Sequence, residues 1–220
     1  MARKTLLDVL SPIMVGPSSS HTAGAVRIGL MAREIFGEEI KKVHFKLYNS
    51  FATTGKGHGT DKALLAGILG FDVDNTRIKN IFNENIEVDY SFEFVEDSNK
   101  HPNAVKITIN DKMVIRAESV GSGEIAVTNI NGFNVNITGK YNSILMIYQD
   151  LPGVISKVTA LIQKKNVNIA SLLCDRDIKG GNASMYIALD SEIDNEIIKD
   201  IKNIDCVHFS VGIRKLKSWD

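Results

Sequence analysis

SILMIYQDLPGVISKVTALIQKK, residues 143–165, reads as one strand, one tight turn and one helix. Ser143 to Tyr148 is apolar enough for a strand, and Asp150-Leu151-Pro152-Gly153 brings proline and glycine together in a turn. From Val154 to Lys165 apolar residues recur at Ile155, Val158, Leu161 and Ile162, the spacing of one helix face. Toward the C-terminus, Asn168 to Cys174 and Ala183 to Leu189 flank Gly180-Gly181-Asn182 as a hairpin. Asp194 to Ile201 then repeats as a helix and Val207 to Ile213 as a final strand. The order is βαββαβ.

Upstream of Gly139-Lys140 the pattern differs, which predicts two domains, residues 1–140 and 141–220. Ala25, Val26, Leu30, Met31, Ile35 and Phe36 predict an amphipathic helix from Thr22 to Phe36, capped by Ser19 or Ser20 and stopped by Gly37. Val43, Phe45 and Leu47 alternate with polar residues up to Asn49-Ser50, a half-buried strand. A glycine-rich loop from Thr53 to Gly59 follows. Thr60 or Asp61 is then placed to cap a helix from Lys62 to Leu69, closed by Gly70. Beyond residue 85 the period becomes two, at Tyr90/Phe92/Phe94, Val105/Ile107/Ile109, Met113/Ile115, Ile125/Val127 and Phe133/Val135/Ile137. Asn131-Gly132 is a strong two-residue hairpin signal and Asn110-Asp111 a weaker one. Helices followed by an antiparallel sheet make the fold class α+β.

Composition excludes several functions. The 220 residues are 44% hydrophobic and 24% charged, as in ordinary globular proteins. Lys+Arg and Asp+Glu are 26 each, leaving no cationic excess for phosphates or lipid headgroups, so neither nucleic acid nor membrane is expected as a partner. No apolar run approaches the ~20 residues that span a bilayer. Met1-Ala2-Arg3-Lys4 begins no signal peptide, and a cytoplasmic location is expected. Cys174 and Cys206 lack the paired spacing of a zinc or iron-sulfur site, so no metal is assigned to this chain. Their apolar flanks predict small buried hydrophobes.

Three polar clusters stand out from this background. Ser18-Ser19-Ser20-His21-Thr22, after Gly16-Pro17, enters a helix where free N–H groups and the helix dipole favour an anion such as a carboxylate. Ser50 and the run Thr53-Thr54-Gly55-Lys56-Gly57-His58-Gly59-Thr60-Asp61 let backbone approach a ligand, but the order required of a nucleotide-binding P-loop is missing. Asn99-Lys100-His101-Pro102-Asn103 is a short polar turn between strands. His44 and His208 lie on strands and are expected to be structural.

Taken together, these clusters and Gly121-Ser122-Gly123-Glu124-Ile125 fall in an order that resembles the iron-sulfur L-serine dehydratases, specifically their beta subunit. Ser122 departs from the glycine the family often carries there. The unit after residue 140 is ferredoxin-like, and with its Asp150-Leu151-Pro152-Gly153 turn it resembles an ACT domain, a module that regulates amino-acid enzymes. The resemblance implies a chain that works with a separate alpha subunit, which holds a 4Fe-4S cluster, to convert L-serine to pyruvate and ammonia. It further implies His58 and His101 as proton-transfer or hydrogen-bonding groups. Ser18, Ser19, Ser20, His21, Thr22, Ser50, Thr54, Gly55 and Asn103 would be substrate-binding. Asp150, Leu151, Pro152 and Gly153 would form a regulatory turn, in a domain expected to self-associate. The alternative is a non-catalytic amino-acid-sensing regulator, because the first domain is also similar in outline to the allosteric substrate-binding domain of some phosphoglycerate dehydrogenases.

Overall fold

A computed structural model describes residues 14–218; Met1-Ala2-Arg3-Lys4 lies outside them. A π-helical turn, Ser19–Ala23, runs directly into α1, Gly24–Phe36. Strand β1, Lys42–Tyr48, is followed by two short turns, α2 (Ser50–Thr53) and α3 (Gly55–His58), and by α4, Thr60–Ile68. After a 3₁₀ stretch, Thr76–Asn83, come β2 (Asp89–Val95), β3 (Ala104–Ile109), β4 (Met113–Gly121), β5 (Glu124–Ile130) and β6 (Phe133–Ile137). These six strands form one sheet in the order β2-β1-β3-β4-β5-β6. All neighbours are antiparallel except β1 and β2, which are parallel, so their C-terminal ends point the same way. The purely antiparallel expectation is corrected there, because the long connection through α4 returns the chain to the same edge.

The second sheet contains β7 (Asn142–Gln149), β8 (Ile169–Arg176), β9 (Asn182–Leu189) and β10 (Val207–Ile213) in the order β10-β7-β9-β8, all antiparallel. Helices α5 (Val154–Lys164) and α6 (Asn195–Lys202) complete the βαββαβ order read from residues 143–213. Ile144, Met146 and Tyr148 pack with Val158, Ile162, Ile197 and Ile201 beneath the helices. From the opposite face Leu145, Tyr186 and Ala188 join the core of the first sheet. Alternate residues of β7 therefore serve two different cores, which is why the strand reads as a continuous apolar run.

Details of the helix ends differ from the sequence reading. Ser18 caps the first turn, accepting from the His21 amide at 3.2 Å, so neither Ser19 nor Ser20 is the cap. Gly59, left-handed at φ 70°, precedes α4, while Thr60 is fully buried in its first turn. The glycine-rich 53–59 segment is mostly helical turn rather than open loop. Cys174 is exposed because β8 is an edge strand whose apolar residues are largely uncovered, and Cys206, just before β10, is half-buried. Asn110-Asp111, Ser122-Gly123 and Asn131-Gly132 all have positive φ, as two-residue hairpins require. No helix among the described residues is long and apolar enough to cross a membrane.

One contact positions α1 against α4. A Cβ on Gly67 would lie 2.1 Å from the Val26 carbonyl and 2.8 Å from the Gly29 Cα; one on Gly29 would lie 2.4 Å from the Leu64 carbonyl. The helices touch backbone to backbone, and neither partner can yield as a flexible side chain would. Gly67→Ala should therefore lower the unfolding free energy by about 1–3 kcal/mol, toward the upper end. Gly57→Ala, whose added methyl meets nothing within 4 Å, should leave stability unchanged or raise it by up to ~1 kcal/mol. Urea denaturation of the two variants measures both effects.

Candidate active site

The site assembles where the N-terminal end of α1 meets the turns that precede α4. Gly16, at φ 139°, has no room for a Cβ, which would fall 2.6 Å from Thr22 Oγ1. Thr22 is buried and donates to the His58 carbonyl at 3.1 Å, stitching the serine turn to α3. Ser19 and Ser20 are half-buried in the π-helical turn. At a helix start the first amides have no intrahelical acceptor, and here they carry the positive end of a continuous helical segment.

His21 is the hub. Its Nε2 lies 2.9 Å from Ser50 Oγ and 3.1 Å from Thr54 Oγ1, and its Nδ1 lies 3.4 Å from Ser18 Oγ. Thr54 Oγ1 donates to the Ser50 carbonyl at 2.8 Å, so its oxygen is the acceptor toward His21. That assignment puts the His21 proton on Nε2 and leaves Nδ1 to accept from Ser18. Phe51, fully buried, presents its ring edge-on to the imidazole at 5.4 Å. Burial lowers the His21 pKa below 6.5, the nearby His58 lowers it further, and a hydrogen bond at Ser50 opposes both. His21 is thus neutral near pH 7.

His58 lies beside it, with ring centroids 4.8 Å apart. Its Nδ1 is 2.9 Å from the Thr54 carbonyl. A carbonyl only accepts, so Nδ1 carries the proton and Nε2 holds the lone pair. His101 has the opposite arrangement: Nδ1 accepts from the Asn103 amide at 3.1 Å, so the neutral ring bears its proton on Nε2. The neutral rings thus present a lone pair at His58 Nε2 and an N–H at His101 Nε2. No ring contact or hydrogen bond joins His101 to His21 or His58 among the described residues. The link is indirect, since the Phe51 amide donates to the Pro102 carbonyl at 3.3 Å.

Asn49 is the residue that sequence reasoning missed. Its side-chain amide donates to the carbonyls of Asp97 (2.8 Å) and Lys100 (3.0 Å), and its Oδ1 accepts from the Asp97 amide at 2.8 Å. It thereby ties the 97–101 loop to the start of α2 while itself sitting at φ 50°. Asparagine tolerates that backbone better than most side chains. An asparagine ending a strand just before Ser50 was the available signal. Asn103 Oδ1 is buried without a hydrogen-bond partner among the described residues, an arrangement that costs about 1–3 kcal/mol. Gly55 packs on Thr60, where a Cβ would sit 3.2 Å from the threonine Cβ.

The turn Asp150 to Gly153 belongs to the second sheet. Asp150 Oδ2 accepts from the Gly180 amide at 3.3 Å and from Arg176 Nη1 at 3.1 Å. Those two donors, in that order, hold its carboxyl below the usual carboxylate range. Leu151 and Pro152 are exposed, and Gly153, at φ 88°, opens α5 with free space beside it.

Residues 6–119 match the family described as serine dehydratase beta chain, and residues 144–208 match an AHAS small subunit-like ACT domain. A probable L-serine dehydratase beta chain of Bacillus subtilis is 37% identical over 209 residues, covering 93% of this chain and 95% of that one. The L-serine dehydratase beta chain of Peptoniphilus asaccharolyticus is 38% identical over 210 residues, covering 92% and 93%. A D-3-phosphoglycerate dehydrogenase of Bacillus subtilis is 24% identical over 187 residues, 82% of this chain but 35% of that one, in keeping with the α+β fold that precedes the ACT domain. With a family model spanning half its length and full-length relatives above 30% identity, the chain belongs to the serine dehydratase beta chain family, with an ACT domain at its C-terminal end.

Proposed function

We propose that this chain is the non-cluster subunit of an iron-sulfur-dependent L-serine dehydratase, in which a 4Fe-4S cluster on the alpha chain and the polar site on this chain face one substrate. The observation that carries the reading is the split in proton placement, with a lone pair on His58 Nε2 and a proton on His101 Nε2. The thiols here do not fit a cluster, since Cys174 lies on β8 and Cys206 just before β10, both away from the site's elements. No group of three or more His, Cys, Asp or Glu side chains among the described residues could hold a metal. Hydroxide is a poor leaving group, and Lewis acidity supplied by the alpha chain would meet that need.

The roles proposed within this chain draw support from its own geometry. The substrate carboxylate is held at the Ser18–Thr22 turn, where helix-start amides and the dipole favour an anion. Ser50 and Thr54, oriented by neutral His21, line the same wall with Gly55. His58 Nε2 takes the Cα proton, and His101 with Asn103 hydrogen-bonds a polar group of the substrate. A cytoplasmic location goes with two free thiols. Self-association through the second sheet belongs to the same reading. An effector at the Asp150–Gly153 turn would meet the open side of Gly153, because the Asp150 carboxylate is already engaged. A purely regulatory protein gains support from the phosphoglycerate dehydrogenase likeness, but an effector site has no use for opposed imidazole tautomers.

His58→Ala in the complex reconstituted anaerobically with the alpha chain should reduce pyruvate formation from L-serine by about 10²–10⁴-fold, with subunit association unchanged. Retention of full turnover would sink the assignment. A second expectation concerns pH. The folded His21 pKa lies below its unfolded value of 6.5, so the unfolded state binds the extra proton first. Stability contributed by neutral His21 is complete above that value and is lost as pH falls through the folded pKa. Chemical denaturation between pH 7.5 and 5 should show this slope (an illustrative window around the ordinary histidine pKa of about 6.5), and His21→Gln should flatten it.

A further inference from the structure

Strand β2 is the outer strand of the first sheet, paired only with β1. Tyr90, Phe92 and Phe94 project to one side of it at every second position. Neighbouring rings lie 6.0 and 6.4 Å apart, and Phe82 packs beside the row, stacked on Tyr90 at 5.8 Å and edge-on to Phe92 at 6.1 Å. The row is anchored inward, where Phe92 stacks on buried Phe45 at 5.1 Å. Phe94, at one end of the row, and Phe82, beside the other, are open at 36% and 37% exposure. Four clustered aromatic rings at a sheet edge invite association unless something covers them.

A cation sits over each of the two exposed rings. Lys56 Nζ sits 4.9 Å over the Phe94 ring and Lys62 Nζ 5.9 Å over the Phe82 ring. Lys56 is two residues from His58 in α3, so the row begins at the candidate site and runs away from it along β2. Any chain that completes the site beside α3 reaches Phe94 first. A second copy of this chain fits poorly. A two-fold contact over the row would bring Lys56 of one copy toward Lys62 of the other, like charges in a closing surface.

We infer that this aromatic patch of Phe82, Tyr90, Phe92 and Phe94 is the docking surface for the alpha chain, which would present an apolar ridge flanked by carboxylates. This rests on the reading of the chain as a beta subunit whose site the alpha chain completes. Aromatic anchors at the centre of an interface carry much of its energy, and the flanking lysines select the partner by charge.

The test uses the full-length chain co-expressed with the cluster-bearing alpha chain, with the tag on the alpha chain. Phe82→Ser combined with Phe94→Ser should weaken association by about tenfold or more. Lys62→Glu should weaken it less, and excess variant chain should restore turnover. Wild-type association of the double variant, with pyruvate still produced, would overturn the docking surface and leave the functional reading intact. Loss of self-association with alpha binding untouched would also overturn it, assigning the row to a second copy. Failure of the wild-type chain to bind the alpha chain at all would overturn both. Far-UV circular dichroism checks folding. If the double variant does not fold, Lys62→Glu decides, and unchanged alpha binding in that variant counts against the surface.

Discussion

The backbone contact between Gly29 and Gly67 is the constraint on which the rest of the structure depends. Helix α1 carries the serine turn at its N-terminal end, and α4 is preceded directly by Ser50 to His58. How closely the two helices approach therefore sets whether His21 can reach Ser50 and Thr54. With glycine at both positions the spacing is set by backbone atoms, which have no rotamers to relax into. Hydrogen bonds within 3.5 Å across the two segments, such as Thr22 to the His58 carbonyl, follow from that spacing.

The second sheet is joined to the same helix by different means. Tyr186, Ala188 and Ile213 share the core that contains α1. Beyond β10 the chain turns back over α1: the Leu216 amide donates to the Gly139 carbonyl at 2.8 Å, and Arg27 Nη1 donates to the Lys217 carbonyl at 3.0 Å. Leu216 also fills the space beside Gly139 and Met31. The Lys217–Asp72 ion pair, 2.7 Å long but with an exposed lysine, adds little energy compared with the apolar contact. Burial of Leu216 and the shared core hold the two sheets together, and the charged contacts set the path of the chain.

Much of the fold was legible because its signals are local. Period-two stretches, Asn131-Gly132 and the helix face of residues 154–165 needed no tertiary information. The differences arise where neighbours decide. Three serines in a row are equally able to cap a helix, and only the π-helical first turn selects Ser18. Thr60 and Asp61 are both good caps on paper, yet Gly59 in a left-handed conformation starts α4 and Thr60 is buried instead. The β1–β2 pairing is parallel because of a connection far longer than any sequence window. Cys174 sits among apolar residues that read as buried, but β8 has an uncovered edge. At the site, motif order drew notice to Ser18–Thr22, Ser50, Thr54 and His58, which the fold brings together, while Asn49 carried no motif and its side-chain hydrogen bonds to the 97–101 loop exist only in three dimensions.

The pair of imidazoles shows how burial, rather than residue type, sets two identical side chains apart. His21 and His58 are the same side chain with centroids 4.8 Å apart, and two imidazolium ions at that distance would repel. His21 is the more enclosed, backed by Phe51 and ringed by hydroxyls, so desolvation keeps it neutral. Neutrality there is what lets Ser18 donate to Nδ1 while Nε2–H serves Ser50 and Thr54. It also leaves His58 without a fixed positive neighbour. Position 21 thus holds a histidine whose enclosure favours the neutral ring, while position 58 holds one whose Nδ1 is tied to the Thr54 carbonyl.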